Sequence, residues 1–176
     1  MTIETLTKQS NTHTGLAGID SHRLKAIRNA SLRSCFNRMD DTRYRMEFVA
    51  RILDREYVSD AAARSVNATW YTLESMQGGL VWIVCGSDAT TDYSRLVPVA
   101  LRKVHMMIIL GPDAQLREAF TGSVPCIESC RSMAEALHKA YRYESADVRV
   151  VFSPACFDGT PTEALADAFR REVNEL

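Results

Sequence analysis

Three apolar runs constrain this chain more than any other feature. Leu80-Val81-Trp82-Ile83-Val84-Cys85, the run from Val104 to Leu110, and Val150-Val151-Phe152 carry almost no polar residue. A strand with one face in water alternates apolar and polar residues, whereas a strand covered on both faces has no need to. The first two runs end at Gly86 and Gly111 and are too short for buried helices, so all three read as buried strands. Between and after them stand segments with helical spacing: 62–76, 93–101 with Pro98 inside it, 114–120, 132–141 and 161–173. This alternation predicts an α/β fold, a Rossmann-like, mostly parallel sheet of five to six strands with helices on both faces. The expected core contains Val81, Ile83, Val84, Met107, Ile109, Val150 and Phe152.

The flanks are plainer. Residues 45–53 and 56–59, parted by Asp54-Arg55, read as a hairpin, and 124–127 as a short edge strand. Upstream, residues 1–15 are polar, and Leu24, Ile27 and Leu32 fall near one helical face behind a capping Ser21. The domain reading is a flexible tail plus helical extension over 1–38, then the α/β domain over 39–176.

Charge and motif content exclude several function classes. Lys and Arg total 21 against 22 Asp and Glu, a net charge of -1, which gives no electrostatic case for nucleic acid or an anionic membrane. No apolar run approaches a membrane span, and the N-terminus has neither the basic nor the apolar part of a signal peptide, so a cytoplasmic protein is expected. Five scattered cysteines suit reduced, structural thiols, and Cys126 and Cys130 lack a second ligand pair. His13, His22, His105 and His138 are dispersed, so no metal and no cofactor are expected. There is no Gly-x-Gly-x-x-Gly after a strand, no Gly-x-x-x-x-Gly-Lys-Ser/Thr and no Gly-x-Ser-x-Gly.

In such a sheet ligands bind at the carboxyl ends of the strands. The loops there are 86–92, 111–113 and 153–158. Asp88 and Asp113 read as helix caps before they read as acids, and Cys156 as a structural thiol before a nucleophile.

Four segments, in order, resemble the C-terminal domain of the Mur ligases, and most of all the branch that adds D-glutamate to UDP-N-acetylmuramoyl-alanine. They are Tyr44-Arg45-Met46-Glu47-Phe48-Val49, Tyr57 to Asn67, Trp82 to Ser94, and Ser153-Pro154-Ala155-Cys156-Phe157-Asp158. The likeness covers roughly 43–176, and 19–36 is similar to the end of that family's central domain. It implies that Arg45 and Asp60 match a nucleotide-contacting pair, and that Ala62, Asp88, Ala89, Ser153, Cys156 and Phe157 line a substrate cleft. It also implies two lysines, at 62 and 89, that grip the carboxylates of the incoming amino acid. Both are alanine here, and a methyl group replaces no charge-assisted hydrogen bond. The family's Ala-Ser after the cysteine is missing, and with it a substrate-binding serine.

The resulting expectation is a stand-alone, bacterial, Mur-ligase-like pseudoenzyme: a non-catalytic binding or accessory protein linked to peptidoglycan precursors. The cleft would then take a UDP-muramoyl precursor, and residues 23–36 would dock a protein partner. The alternative is one subunit of a split ATP-dependent amino-acid ligase whose ATP-binding domain lies on another chain. A self-associating structural protein is the third class.

Overall fold

The structure, a computed structural model, describes residues 42–87, 90–145 and 147–176. After a single turn of 3-10 helix at Thr42–Tyr44 come β1 (Glu47–Ile52), β2 (Arg55–Ser59), α1 (Val66–Ser75), β3 (Gly79–Cys85), α2 (Val97–Lys103) and β4 (Val104–Leu110). Then follow α3 (Ala114–Phe120), β5 (Cys126–Cys130), α4 (Met133–Arg142), β6 (Val148–Phe152) and α5 (Thr162–Asn174). The six strands lie in the order β1-β2-β6-β3-β4-β5. β1 is antiparallel to β2 and every other neighbouring pair is parallel.

The apolar runs are the central strands because both faces of the sheet are covered. Val81, Ile83 and Cys85 of β3 point into one cluster with α4 and α5, where Phe152 stacks on Phe169 at 5.6 Å between ring centres. Leu80, Trp82 and Val84 point into the other with α1, α2 and α3, where Trp82 meets Phe120 edge-on at 5.5 Å. All seven residues expected in the core are fully buried. Such side chains contribute about 1.5–3 kcal/mol each by leaving water.

Element boundaries moved where backbone partners outweigh propensity. The Ala61-Ala62-Ala63 stretch is not helical. Asp60 N–H still pairs with Phe152 O across the sheet at 2.8 Å, and Ala63 N–H closes a turn on Asp60 O at 2.9 Å. The helix starts only at Val66, behind Ser65, whose Oγ accepts from Ala68 N–H at 3.2 Å. Pro98 does not kink α2 but sits in its first turn, where the missing N–H costs nothing. Val124 N–H is spent on Phe120 O at the end of α3, so the edge strand forms over Cys126–Cys130 rather than 124–127. The hairpin turn is Leu53-Asp54, both at positive φ (47° and 61°), one residue earlier than the sequence suggests.

Two cations, Arg55 on β2 and Lys103 at the end of α2, cap helix ends. Arg55 donates to Ala140 O, Tyr141 O and Tyr143 O at 2.7–3.1 Å where α4 ends. Lys103 donates to Leu73 O, Glu74 O and Met76 O at 2.6–3.1 Å where α1 ends. Both satisfy carbonyls that a helix C-terminus leaves without partners. The expected helix at 23–36 and the tail before it lie outside the described residues.

Candidate functional site at the carboxyl edge of the sheet

From β3 the chain steps outward to β4 and β5, then crosses the other face and returns as β6 on the opposite side of β3. The loops after β3 and β6 therefore part at the carboxyl edge, where open α/β sheets form a crevice. A cleft of about 570 Å³ lies there, lined by Gly86, Ser87, Arg131, Ser132, Asp158 and Thr160, with Leu110, Met133 and Leu165 in its wall. A larger cavity of about 920 Å³ lies between α4 and strands β4 and β5, away from this edge. Its walls are crossed by the Lys139–Glu128 ion pair at 2.7 Å.

The loop after β6 is bonded at nearly every residue. Ser153 N–H donates to Ile83 O at 3.0 Å, and Trp82 Nε1–H donates to Ser153 O at 2.9 Å. Ser153 Oγ shares a hydrogen with Thr69 Oγ1 at 2.8 Å, and Cys85 N–H donates to Pro154 O at 3.2 Å. Ala155, at φ 63°, donates to Ala63 O at 3.0 Å, which ties this loop to the one after β2. Ser153 is fully buried, so its hydroxyl serves the fold. Cys156 is buried and directs its thiol to Cys85 O at 3.3 Å. Burial first, and then the Asp158 charge, push that thiol's pKa above its usual value, which keeps it protonated and poorly nucleophilic.

Arg64 was not singled out by the sequence, yet it holds this corner together. Its guanidinium donates to Thr160 O and, at 2.8 Å, to Asp158 Oδ1, and it lies 4.4 Å from the centre of the Phe157 ring. Phe157 is otherwise 71% exposed and the Arg64 side chain only 10%, so the cation is covered by the residues it holds. An arginine that meets its carboxylate 94 positions along the chain leaves no local pattern to read.

Arg45 and Asp60 come together as a pair, Arg45 Nε facing Asp60 Oδ1 at 3.7 Å. Asp60 is fully buried while the Arg45 side chain is about one third exposed. Burial raises the Asp60 pKa, opposed by the Thr72 hydroxyl, the Arg45 charge and the Met46 backbone. Ala62 is half-buried in the loop after β2, its N–H donating to Tyr44 O at 3.3 Å. Asp88 and Ala89 lie outside the described residues, and with them the expectation that 62 and 89 border one cleft. Asp113 sits before α3, but its carboxylate bonds Ser129 and Arg117 rather than a backbone N–H of that helix.

Among the described residues no three His, Cys, Asp or Glu side chains gather as a metal site. Cys85, Cys126, Cys130 and Cys156 are free thiols. No helix among them is long and apolar enough to cross a membrane.

No protein-family profile matches the chain. Full-length relatives do. It is 34% identical over 175 residues to the UDP-N-acetylmuramoylalanine–D-glutamate ligase of Porphyromonas gingivalis, covering 97% of this chain and 39% of that protein. It is 35% identical over 147 residues to the enzyme of the same name in Christiangramia forsetii, covering 83% of this chain and 33% of that one. The chain thus spans about a third to two fifths of the length of these relatives. Among solved structures, a domain of a UDP-N-acetylmuramate:L-alanyl-gamma-D-glutamyl-diaminopimelate ligase from Haemophilus ducreyi aligns with TM-score 0.51 at 10% identity. It covers 72% of this chain and 98% of that domain, and so supports the fold. The chain is a homologue of the UDP-N-acetylmuramoylalanine–D-glutamate ligases and belongs to the Mur ligase family, its described residues forming a domain of the C-terminal type.

Proposed function

We propose that this chain acts as a binding or accessory protein in peptidoglycan precursor metabolism and forms no amide bond itself. The observations that carry this reading are at positions 62 and 64, in the loop after β2. Position 62, a lysine by family resemblance, is a half-buried methyl. The nearby Arg64 is committed to Asp158, Thr160 O and the Phe157 ring. An incoming dicarboxylate needs donors that are not already paired, because each carboxylate gives up strong hydration on entering. By family resemblance the ligand is a UDP-muramoyl precursor rather than free D-glutamate.

The test is phosphate release and amide formation with ATP, UDP-N-acetylmuramoyl-alanine and D-glutamate, beside a calorimetric titration with the precursor alone. The expected result is saturable precursor binding with no ATP-dependent product. Turnover by the pure chain refutes the proposal.

The Arg45–Asp60 pair favours a second reading, in which the chain is one subunit of a split ligase and Arg45 meets a nucleotide held by another polypeptide. Residues 23–36, similar to the end of the family's central domain, would be the docking element. Co-purification from the native cell with a protein carrying a Gly-Lys-Thr phosphate loop supports it. Recovery of no such protein counts against it.

A further inference from the structure

We infer that Thr72 is a positioning residue for Arg45 and acts on it through Asp60, an inference that rests on the nucleotide-facing reading of Arg45. The resemblance treats Arg45 and Asp60 alike, but their burial does not. Asp60 has no exposed surface in this structure, whereas about one third of the Arg45 side chain reaches solvent. In this arrangement Asp60 acts through its neighbour.

Asp60 is fixed at two points. Its N–H is bonded to Phe152 O at 2.8 Å, at the end of β2. Its Oδ2 accepts the hydroxyl of Thr72, itself buried on α1. Oδ1 takes no hydrogen bond of ordinary geometry among the described residues and faces Arg45 Nε at 3.7 Å. Thr72 Oγ1 also lies 3.1 Å from Ala68 O, but one hydroxyl hydrogen serves one acceptor at a time. When Asp60 is ionised the carboxylate takes it, since charged acceptors bind a donor about twice as strongly as neutral ones. The carboxylate plane is then set, and Oδ1 becomes a stationary negative point against which the Arg45 Nε edge rests. The two terminal Nη groups have no other partner among the described residues. They are left as a fork for a pair of phosphoryl oxygens.

Thr72→Val keeps the shape of the side chain and removes the donor, and Thr72→Ser restores the donor. In the full chain, carbon-detected titration of Asp60 and nitrogen NMR of the Arg45 Nε–H report on the relay without any ligand. A titration with ATP reports on its use. Thr72→Val is expected to raise the Asp60 pKa further, because a hydrogen bond to the charged form is lost. It should also let the Arg45 Nε–H exchange faster with water and weaken ATP binding roughly tenfold, about the worth of a hydrogen bond to a charged group. Thr72→Ser should bring all three back, and Arg45→Ala should abolish ATP binding. If Thr72→Val leaves the Asp60 titration and the Arg45 signal as in the parent, the inference is overturned. It is overturned equally if ATP binds that variant as tightly as the parent. If the NMR signals move as expected but the parent binds no ATP, the positioning role stands and nucleotide binding by this chain alone falls.

Discussion

Gly86→Ala is expected to unfold the domain or leave it unable to close at the carboxyl edge. Gly86 N–H donates to Leu110 O at 2.8 Å, which draws the ends of β3 and β4 together. A Cβ built on Gly86 lies 1.6 Å from Pro112 O and 2.5 Å from Pro112 C. Those are backbone atoms in a short loop, so no rotamer change relieves the contact. Relief requires separating the two strand ends, which breaks the Leu110 bond and opens the cleft wall. Overpacking of a well-packed site costs about 1–3 kcal/mol where side chains can yield. Here the clash is with backbone, and the loss should exceed about 3 kcal/mol, a large part of the 5–15 kcal/mol that holds a typical domain folded. Urea unfolding followed by circular dichroism checks it. A variant with the parent's midpoint contradicts this packing of the two loops.

Trp82→Ala is the second large effect, and it links the core to the site. The indole is fully buried, meets Phe120 edge-on, and donates to Ser153 O, the first residue of the loop after β6. Truncation leaves a cavity and an unpartnered carbonyl, for a loss of about 4 kcal/mol. Trp82→Phe keeps most of the volume and loses only the donor, and should cost about 1–2 kcal/mol. The loop after β6 should become more susceptible to proteolysis in the phenylalanine variant while the far helices keep their amide protection. A phenylalanine variant as stable as the parent would mean that the Ser153 bond contributes nothing measurable.

The sequence was most legible where one physical cause dominates. Fully apolar runs have few homes other than a doubly covered sheet, and β3, β4 and β6 fell where they were expected. Boundaries were less legible where an alanine-rich stretch has helical propensity but its backbone groups are claimed from elsewhere. Phe152 O holds Asp60 N–H from 92 residues away, and nothing in Ala61-Ala62-Ala63 announces it. Ser65 was the readable signal, since a serine just before Val66 is a strong cap. In the candidate site, the pairing of Arg45 with Asp60 was implied by resemblance and the structure brings them together. Their unequal burial was not legible, because it depends on Thr72 and on β6. Arg64 was missed for the same reason: its partners Asp158 and Thr160 are distant in sequence, and a lone arginine in a loop reads as a solvated charge.

We propose that this Mur-ligase C-terminal-type domain does not grip a dicarboxylate. Calorimetric titration with D-glutamate, with and without the UDP-muramoyl precursor present, tests it most directly, on the parent chain and on Ala62→Lys with Ala89→Lys. The account predicts no saturable heat for the parent under either condition, and no ATP-dependent amide formation even with both lysines in place. Saturable binding of D-glutamate to the parent chain would contradict it.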